Sequence, residues 1–167
     1  MRHAPILFVD FDGTLHAGNA YLDREGGITL DSGRPLFEFA PILADLLSAH
    51  PDVEIVLTTS WLDRLPRGVV IAYLPPALSQ RVVDTTAAIK PRFGAVRDGT
   101  ARTYVIAKYA HEHRLVNWLA IDDSVYGAHA HSVSADGDDH YLLLDSSLGL
   151  SDEQMLRSTS SRASEVF

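Results

Sequence analysis

The chain has 167 residues, no cysteine and a formal net charge of −8. That length sets an expectation of one domain with a sizeable core, and the missing cysteines exclude disulfides, thiolate metal sites and a cysteine nucleophile. The acidic balance argues against a broad nucleic-acid-binding surface. No apolar run reaches the roughly 20 residues of a membrane span, and Met1 to Pro5 carry no secretory pattern, so the expected location is cytoplasmic with no membrane partner.

In chain order, Ile6 to Asp12 reads as a buried strand that ends in two carboxylates, Asp10 and Asp12, followed by the turn glycine Gly13. Strand alternation aims Asp10 and Asp12 the same way, beyond the strand tip, with Phe11 turned into the fold. Like charges held that close need a cation or a shared proton. The segment His16 to Arg34, with its glycines and scattered polar residues, is expected to be a loop or small hairpin acting as a flap. Pro41 to Ala49 is a predicted helix with proline at its first turn, and Val53 to Thr59 a strand covered on both faces.

Beyond it, Trp61 to Tyr73 is expected to be helical in part, broken by Pro66 and Gly68 and closed by Pro75-Pro76, with a strand at Arg81 to Thr85. Thr100 is a candidate N-cap for a helix to about Arg114. Trp118 to Asp123 and Tyr141 to Asp145 complete the strands, and Ser151-Asp152-Glu153-Gln154 has the pattern of a capping box. The Ser-rich tail Ser158 to Ser164 is expected to fray. Alternating strands and helices predict an α/β, three-layer Rossmann-like domain with a five-stranded, mostly parallel sheet. Ligands of such sheets bind beyond the carboxyl ends of the strands, where Asp10, Asp12, Thr58, Asp122 and Asp123 all fall.

An oxygen-rich cluster of this kind suits Mg²⁺, which bridges carboxylates and substrate phosphate. One carboxylate can attack phosphorus, a second can move the proton, and hydroxyls and a basic side chain can hold the phosphoryl oxygens. Asp10-Phe11-Asp12-Gly13-Thr14-Leu15 resembles the first motif of the haloacid dehalogenase-like (HAD) hydrolase superfamily. The strand ending in Thr58-Thr59-Ser60 is similar to its second motif, and Leu119-Ala120-Ile121-Asp122-Asp123 to its fourth; with their connections they cover about residues 6 to 125. The resemblance implies a Mg²⁺-dependent phosphatase with Asp10 as nucleophile and Asp12 as general acid/base. It implies a metal held by the Asp10 carboxylate, the Asp12 backbone carbonyl and Asp122 or Asp123, with Thr58 on the phosphoryl group. Thr58 ranks above Thr59 because Thr58 and Ser60 share one side of an extended strand. For the family's third motif, a basic residue before the fourth strand, Arg102 is favoured over Lys108, and Lys90 lies too early. The alternative for both is a solvated helix face.

The second Asp of the first motif points to phosphate esters rather than halides. About 60 residues between the second and fourth predicted strands leave no room for a large cap. An open site implies a large phosphorylated substrate, such as a nucleic-acid end or a phosphoprotein, beside a small molecule. Trp61 and the Trp118 to Asp123 strand resemble, more loosely, the HAD domains of RNA-repair and polynucleotide phosphatase proteins. The basic residues of the middle third, Arg64 to Lys108, read equally as a phosphate-facing groove or as solvated helix faces.

Among the histidines, His16 is a substrate-contact candidate or a plain loop residue. His111 and His113 face different sides of a helix and do not chelate together. His129, His131 and the run Asp136 to His140 read as solvated turn residues, and Trp61 as core packing. Two other readings stand beside the phosphatase: an idle HAD-like binding module, and a receiver-like signalling domain, against which Thr58-Thr59-Ser60 at the middle strand counts.

Overall fold

The computed structural model describes residues 4–127 and 140–167; His129, His131 and Asp136 to Asp139 lie outside them. Five strands form one sheet: β1 (Ile6–Val9), β4 (Glu54–Leu57), β5 (Val82–Thr85), β6 (Trp118–Asp122) and β7 (Tyr141–Leu143), in the order β5-β4-β1-β6-β7. All four pairings are parallel, so β1 is the central strand, flanked by β4 and β6. A separate antiparallel hairpin, β2 (Ala20–Leu22) with β3 (Ile28–Leu30), is the predicted flap. Its turn closes where the Asp23 carboxylate accepts from the backbone N–H groups of Glu25 and Gly27, at 2.9 and 2.7 Å.

The continuous apolar run of β1 is explained by burial on both faces. Leu7, Val9, Ile55, Leu57, Leu119 and Ile121 face one cluster with α1 (Ala40–Ser48), α2 (Arg67–Ala72) and α3 (Pro76–Ser79). Ile6, Phe8, Val56, Trp118 and Ala120 face the other, against α5 (Ala101–Glu112). There Phe8 meets Tyr109 and Trp118 edge-on at centroid distances of 5.5 Å each. The short α4 (Phe93–Arg97) precedes α5, and α6 (Glu153–Val166) ends the chain. Among the described residues, no helix is long and apolar enough to cross a membrane.

Several local expectations shift. β1 ends at Val9, not Asp12, because the chain turns at Gly13 (φ +69°). Gly68 lies inside α2 rather than breaking it, and Pro76 opens α3, as its fixed φ allows at a first helical turn. Thr100 stands at the N-cap position of α5 without a side-chain cap bond. The cap of α6 is Asp152, one residue later than the predicted box, accepting from Gln154 and Met155 N–H at 2.9 and 3.2 Å. The serine tail does not fray: Ser158 and Ser164 donate to carbonyls one turn back. His140 stacks on Trp118 at 4.3 Å and pairs with its carbonyl at 2.7 Å, so it is not a solvated turn residue.

Arg81 ties the amino-terminal edge of the sheet, donating to the carbonyls of Leu47, His50, Pro51 and Val53 at 2.9 to 3.2 Å. Arg81→Ala strands carbonyls that share one charged donor and is expected to cost about 1.5–3 kcal/mol in urea unfolding. A change within about 0.5 kcal/mol would show that water replaces the guanidinium without loss.

Candidate active site

Register and pleat together build the site. Val9 lies opposite Leu57 on β4 and Ile121 on β6. The next residue along each chain is therefore Asp10, Thr58 and Asp122. Along β1 and its neighbours, Ile6, Phe8, Val56, Trp118 and Ala120 face α5. Alternation then turns Asp10, Thr58 and Asp122 to that same side, where α5 begins with Ala101-Arg102. Thr58 Oγ1 donates to Asp122 Oδ2 at 3.3 Å. Arg102 Nη1 bonds Asp122 Oδ2 at 3.1 Å and also donates to the Thr58 carbonyl.

Asp10, Asp122 and Asp123 offer carboxylate oxygens that all lie within 4.8 Å of one another. Burial pushes Asp10 well above the usual carboxylate range, and the charge of Asp122 adds to it. Burial also raises Asp122, to about 6, although Arg102, the Ser124 N–H and Thr58 pull the other way. Arg102 Nη1 is 3.3 Å from Asp10 Oδ1, near enough for charge attraction. Apart from that charge contact, Asp10 Oδ1 is buried with no hydrogen-bond partner among the described residues. A buried, unsatisfied carboxylate oxygen beside two further carboxylates fits a hard oxygen-seeking cation.

Gly13 is required for this geometry. A Cβ there would lie 2.2 Å from Asp123 Oδ2 and 3.0 Å from Ser146 Cα, at a φ that L side chains rarely adopt. The glycine lets the first-motif turn pass directly against Asp123, whose other oxygen accepts from Ser124 Oγ at 2.9 Å.

Asp12 belongs to a different network. Its Oδ1 accepts from His16 Nε2 and Trp61 Nε1, both at 2.9 Å, and its Oδ2 from the Ala20 N–H at 3.2 Å. The expected common aim of Asp10 and Asp12 does not hold for their partners, because the strand ends before Asp12 and alternation ends with it. Burial opposes ionisation of Asp12, yet the bonds from His16, Trp61 and Ala20 outweigh it and hold the group below the usual carboxylate range. His16 is fully buried. Its Nδ1 accepts from the Phe37 N–H at 3.2 Å, which puts the ring hydrogen on Nε2, facing Asp12. Phe37 takes a left-handed backbone (φ 55°) to offer that N–H. Its ring contacts Phe11, His16 and Trp61 at 4.9, 5.2 and 5.5 Å, packing that compensates the strain.

His16 is thus neither a plain loop residue nor exposed to substrate, and Trp61 is core packing that also carries a hydrogen bond. His16 lies four residues from Asp12 and was marked by that nearness, whereas nothing local marked the Trp61 bond, which spans 49 positions. Thr59 caps a 3₁₀ turn, Ser60–Asp63, by accepting from the Trp61 N–H at 3.3 Å. That turn begins at Ser60, so the argument that Thr58 and Ser60 share one side of a strand fails: Thr58 is buried and Ser60 exposed. Arg102 is the basic residue that reaches the carboxylates. Lys108 does not; it lies further along α5, paired with Glu112 at 3.7 Å. Lys90, set aside as too early, lines a cleft of about 220 Å³ together with Thr58, Thr59, Ser60, Thr86 and Arg102.

Gly13→Ala is expected to cost about 1–2 kcal/mol in backbone strain and to displace Asp123, so that divalent-cation affinity of the carboxylate cluster, read by titration calorimetry, falls at least roughly tenfold. Undiminished affinity in the folded variant would remove Asp123 from the ligand set.

A family model describing the HAD domain in Swiss Army Knife RNA repair proteins matches residues 6–155. No curated protein and no solved structure matches the chain. The match runs from the first residue of β1 into α6, through every motif residue that meets at the strand ends. The chain belongs to the family of HAD domains found in Swiss Army Knife RNA repair proteins, within the HAD hydrolase superfamily.

Proposed function

We infer that this protein is a Mg²⁺-dependent phosphatase that works through an aspartyl-phosphate. The observation that carries the reading is the Asp10, Asp122 and Asp123 cluster, whose carboxylate oxygens lie within 4.8 Å of one another, with a buried Asp10 oxygen that has no hydrogen-bond partner among the described residues. Those three residues would hold the ion, which when bound offsets the charge of an incoming phosphoryl group. Asp10 attacks phosphorus as the bond to the leaving oxygen breaks, and Asp12 supplies that oxygen with a proton. Water then attacks phosphorus and gives its proton to Asp12, releasing phosphate and restoring Asp10. Thr58 and Arg102, both bonded to Asp122, would contact the non-bridging oxygens and offset their charge.

The three donors on Asp12 favour its carboxylate, the form that takes a proton from water. Loosening of one of them by a bound substrate would let Asp12 carry the proton needed in the first half. The small flap between β1 and α1 and the family's association with RNA repair favour a large substrate, a phosphorylated nucleic-acid end.

Hydrolysis of an aryl phosphate tests the reading: turnover is expected with Mg²⁺ and is expected to fall at least about a thousandfold with EDTA or in Asp10→Asn. Activity surviving both changes would reject nucleophile and metal alike. Because Asp122 titrates at about 6, Mg²⁺ affinity is expected to decline as pH falls through that value, with protons released on binding. Calorimetry in buffers of different ionisation enthalpy reads this directly; pH-independent affinity from 5 to 7 would contradict it. Trp61→Phe keeps the ring and deletes one donor to Asp12, so the Asp12 carboxyl is expected to titrate higher and the acid limb of the rate profile to move up in pH. An unmoved limb in the folded variant would separate Trp61 from the proton transfer.

A further inference from the structure

The cleft lined by Thr58, Thr59, Ser60, Thr86, Lys90 and Arg102 opens directly beside the candidate phosphoryl site, since two of its walls, Thr58 and Arg102, also hold Asp122. Its volume, about 220 Å³, exceeds what a single phosphoryl group needs. Its polar lining consists of four hydroxyls, two cations and one carboxylate, Asp63. The cations are in different states. Arg102 is bound to Asp10 and Asp122. Lys90 is exposed and makes no ion pair among the described residues.

An acidic protein, of formal net charge −8, therefore keeps an uncommitted ammonium in a cleft joined to its anion site. Two residues past Pro91, which also lines the cleft, Phe93 leaves 83% of its surface to solvent. It packs into neither core cluster. An unpacked aromatic residue two positions along the chain from the wall of a groove lined by hydroxyls and two cations is a combination suited to single-stranded nucleic acid, with phosphate on the cation and a base on the ring.

We propose that this cleft binds the phosphodiester adjoining the terminal phosphate of a single-stranded nucleic acid, with Lys90 pairing that phosphodiester and Phe93 stacking on the neighbouring base. The proposal deepens the phosphatase reading by naming where the substrate strand runs. A phosphopeptide brings a second anion to Lys90 only where an acidic side chain happens to lie near its phosphorylated residue. A strand brings one at every nucleotide.

The test uses the full chain and a fluorescein-labelled six-nucleotide oligoribonucleotide without a terminal phosphate, so that it does not depend on hydrolysis. Fluorescence anisotropy is expected to show binding that weakens about tenfold in Lys90→Ala, with the log–log salt slope smaller by about 0.7, the share of one phosphate contact on a single strand. Lys90→Arg is expected to retain most of the affinity, and Phe93→Ala to lose about fivefold or more. Lys108→Ala, which removes a cation elsewhere on α5, is expected to bind like the wild type. Circular dichroism checks that each variant is folded.

Equal losses in Lys90→Ala and Lys108→Ala would reduce the effect to general charge and overturn the proposal. So would an oligonucleotide affinity indifferent to Lys90, or a phosphopeptide that binds with the same Lys90 dependence. If aryl phosphate is not hydrolysed but the Lys90-dependent binding persists, the phosphatase reading fails and the strand site stands. If hydrolysis proceeds and the Lys90 dependence is absent, the strand site alone falls.

Discussion

Three carboxylates brought together at the ends of two parallel strands repel one another, and the architecture around them is arranged to tolerate that repulsion. Asp10 and Asp122 are buried in register across the central strand pair, and Asp123 follows at the rim. Desolvation and mutual charge both oppose their ionisation. Within the protein, Arg102 provides the compensation, bridging Asp10 and Asp122 from the first turn of α5. The guanidinium leaves one Asp10 oxygen without a hydrogen bond, so the cluster stays electrostatically incomplete. A site built this way is suited to a cation.

The second first-motif acid is held by a separate logic. Asp12 is locked by an imidazole, an indole and a flap amide, behind which lies a nest of aromatic rings. The two carboxylates, close in sequence, thus occupy opposite electrostatic environments: Asp10 is pushed up by burial and like charge, and Asp12 is held down by donated hydrogen bonds. Separation of this kind is how paired acids come to do different work in one reaction. It also ties the flap to Asp12, since the Ala20 N–H at the start of β2 is one of the donors.

Much of the architecture was legible because its causes are local. The run Ile6 to Val9 is apolar without alternation, which marks a strand buried on both faces, and the alternation of such runs with helical segments implies a parallel sheet. Boundaries were less legible. The stop of β1 at Val9, the opening of α3 by Pro76 and the Asp152 cap depend on turns and tertiary contacts that reward one residue over its neighbour. Sequence position favoured Arg102 over Lys108, but both are cations on one helix and position alone does not say which reaches the strand ends. The helix phase and its seat against β1 and β6 decide that Arg102 meets the carboxylates while Lys108 meets Glu112.

By itself, then, the sequence determined the apolar strands and the acids and hydroxyls at their carboxyl ends, because strand pleat and turn chemistry act over two or three residues. Only the tertiary structure decided which of these groups share a charge environment. Thr58 reaches Asp122 across 64 positions, Trp61 reaches Asp12 across 49, and Lys90 enters a cleft that sequence order alone would not give it. Those meetings follow from strand order and helix packing, which bring together residues that no local rule relates.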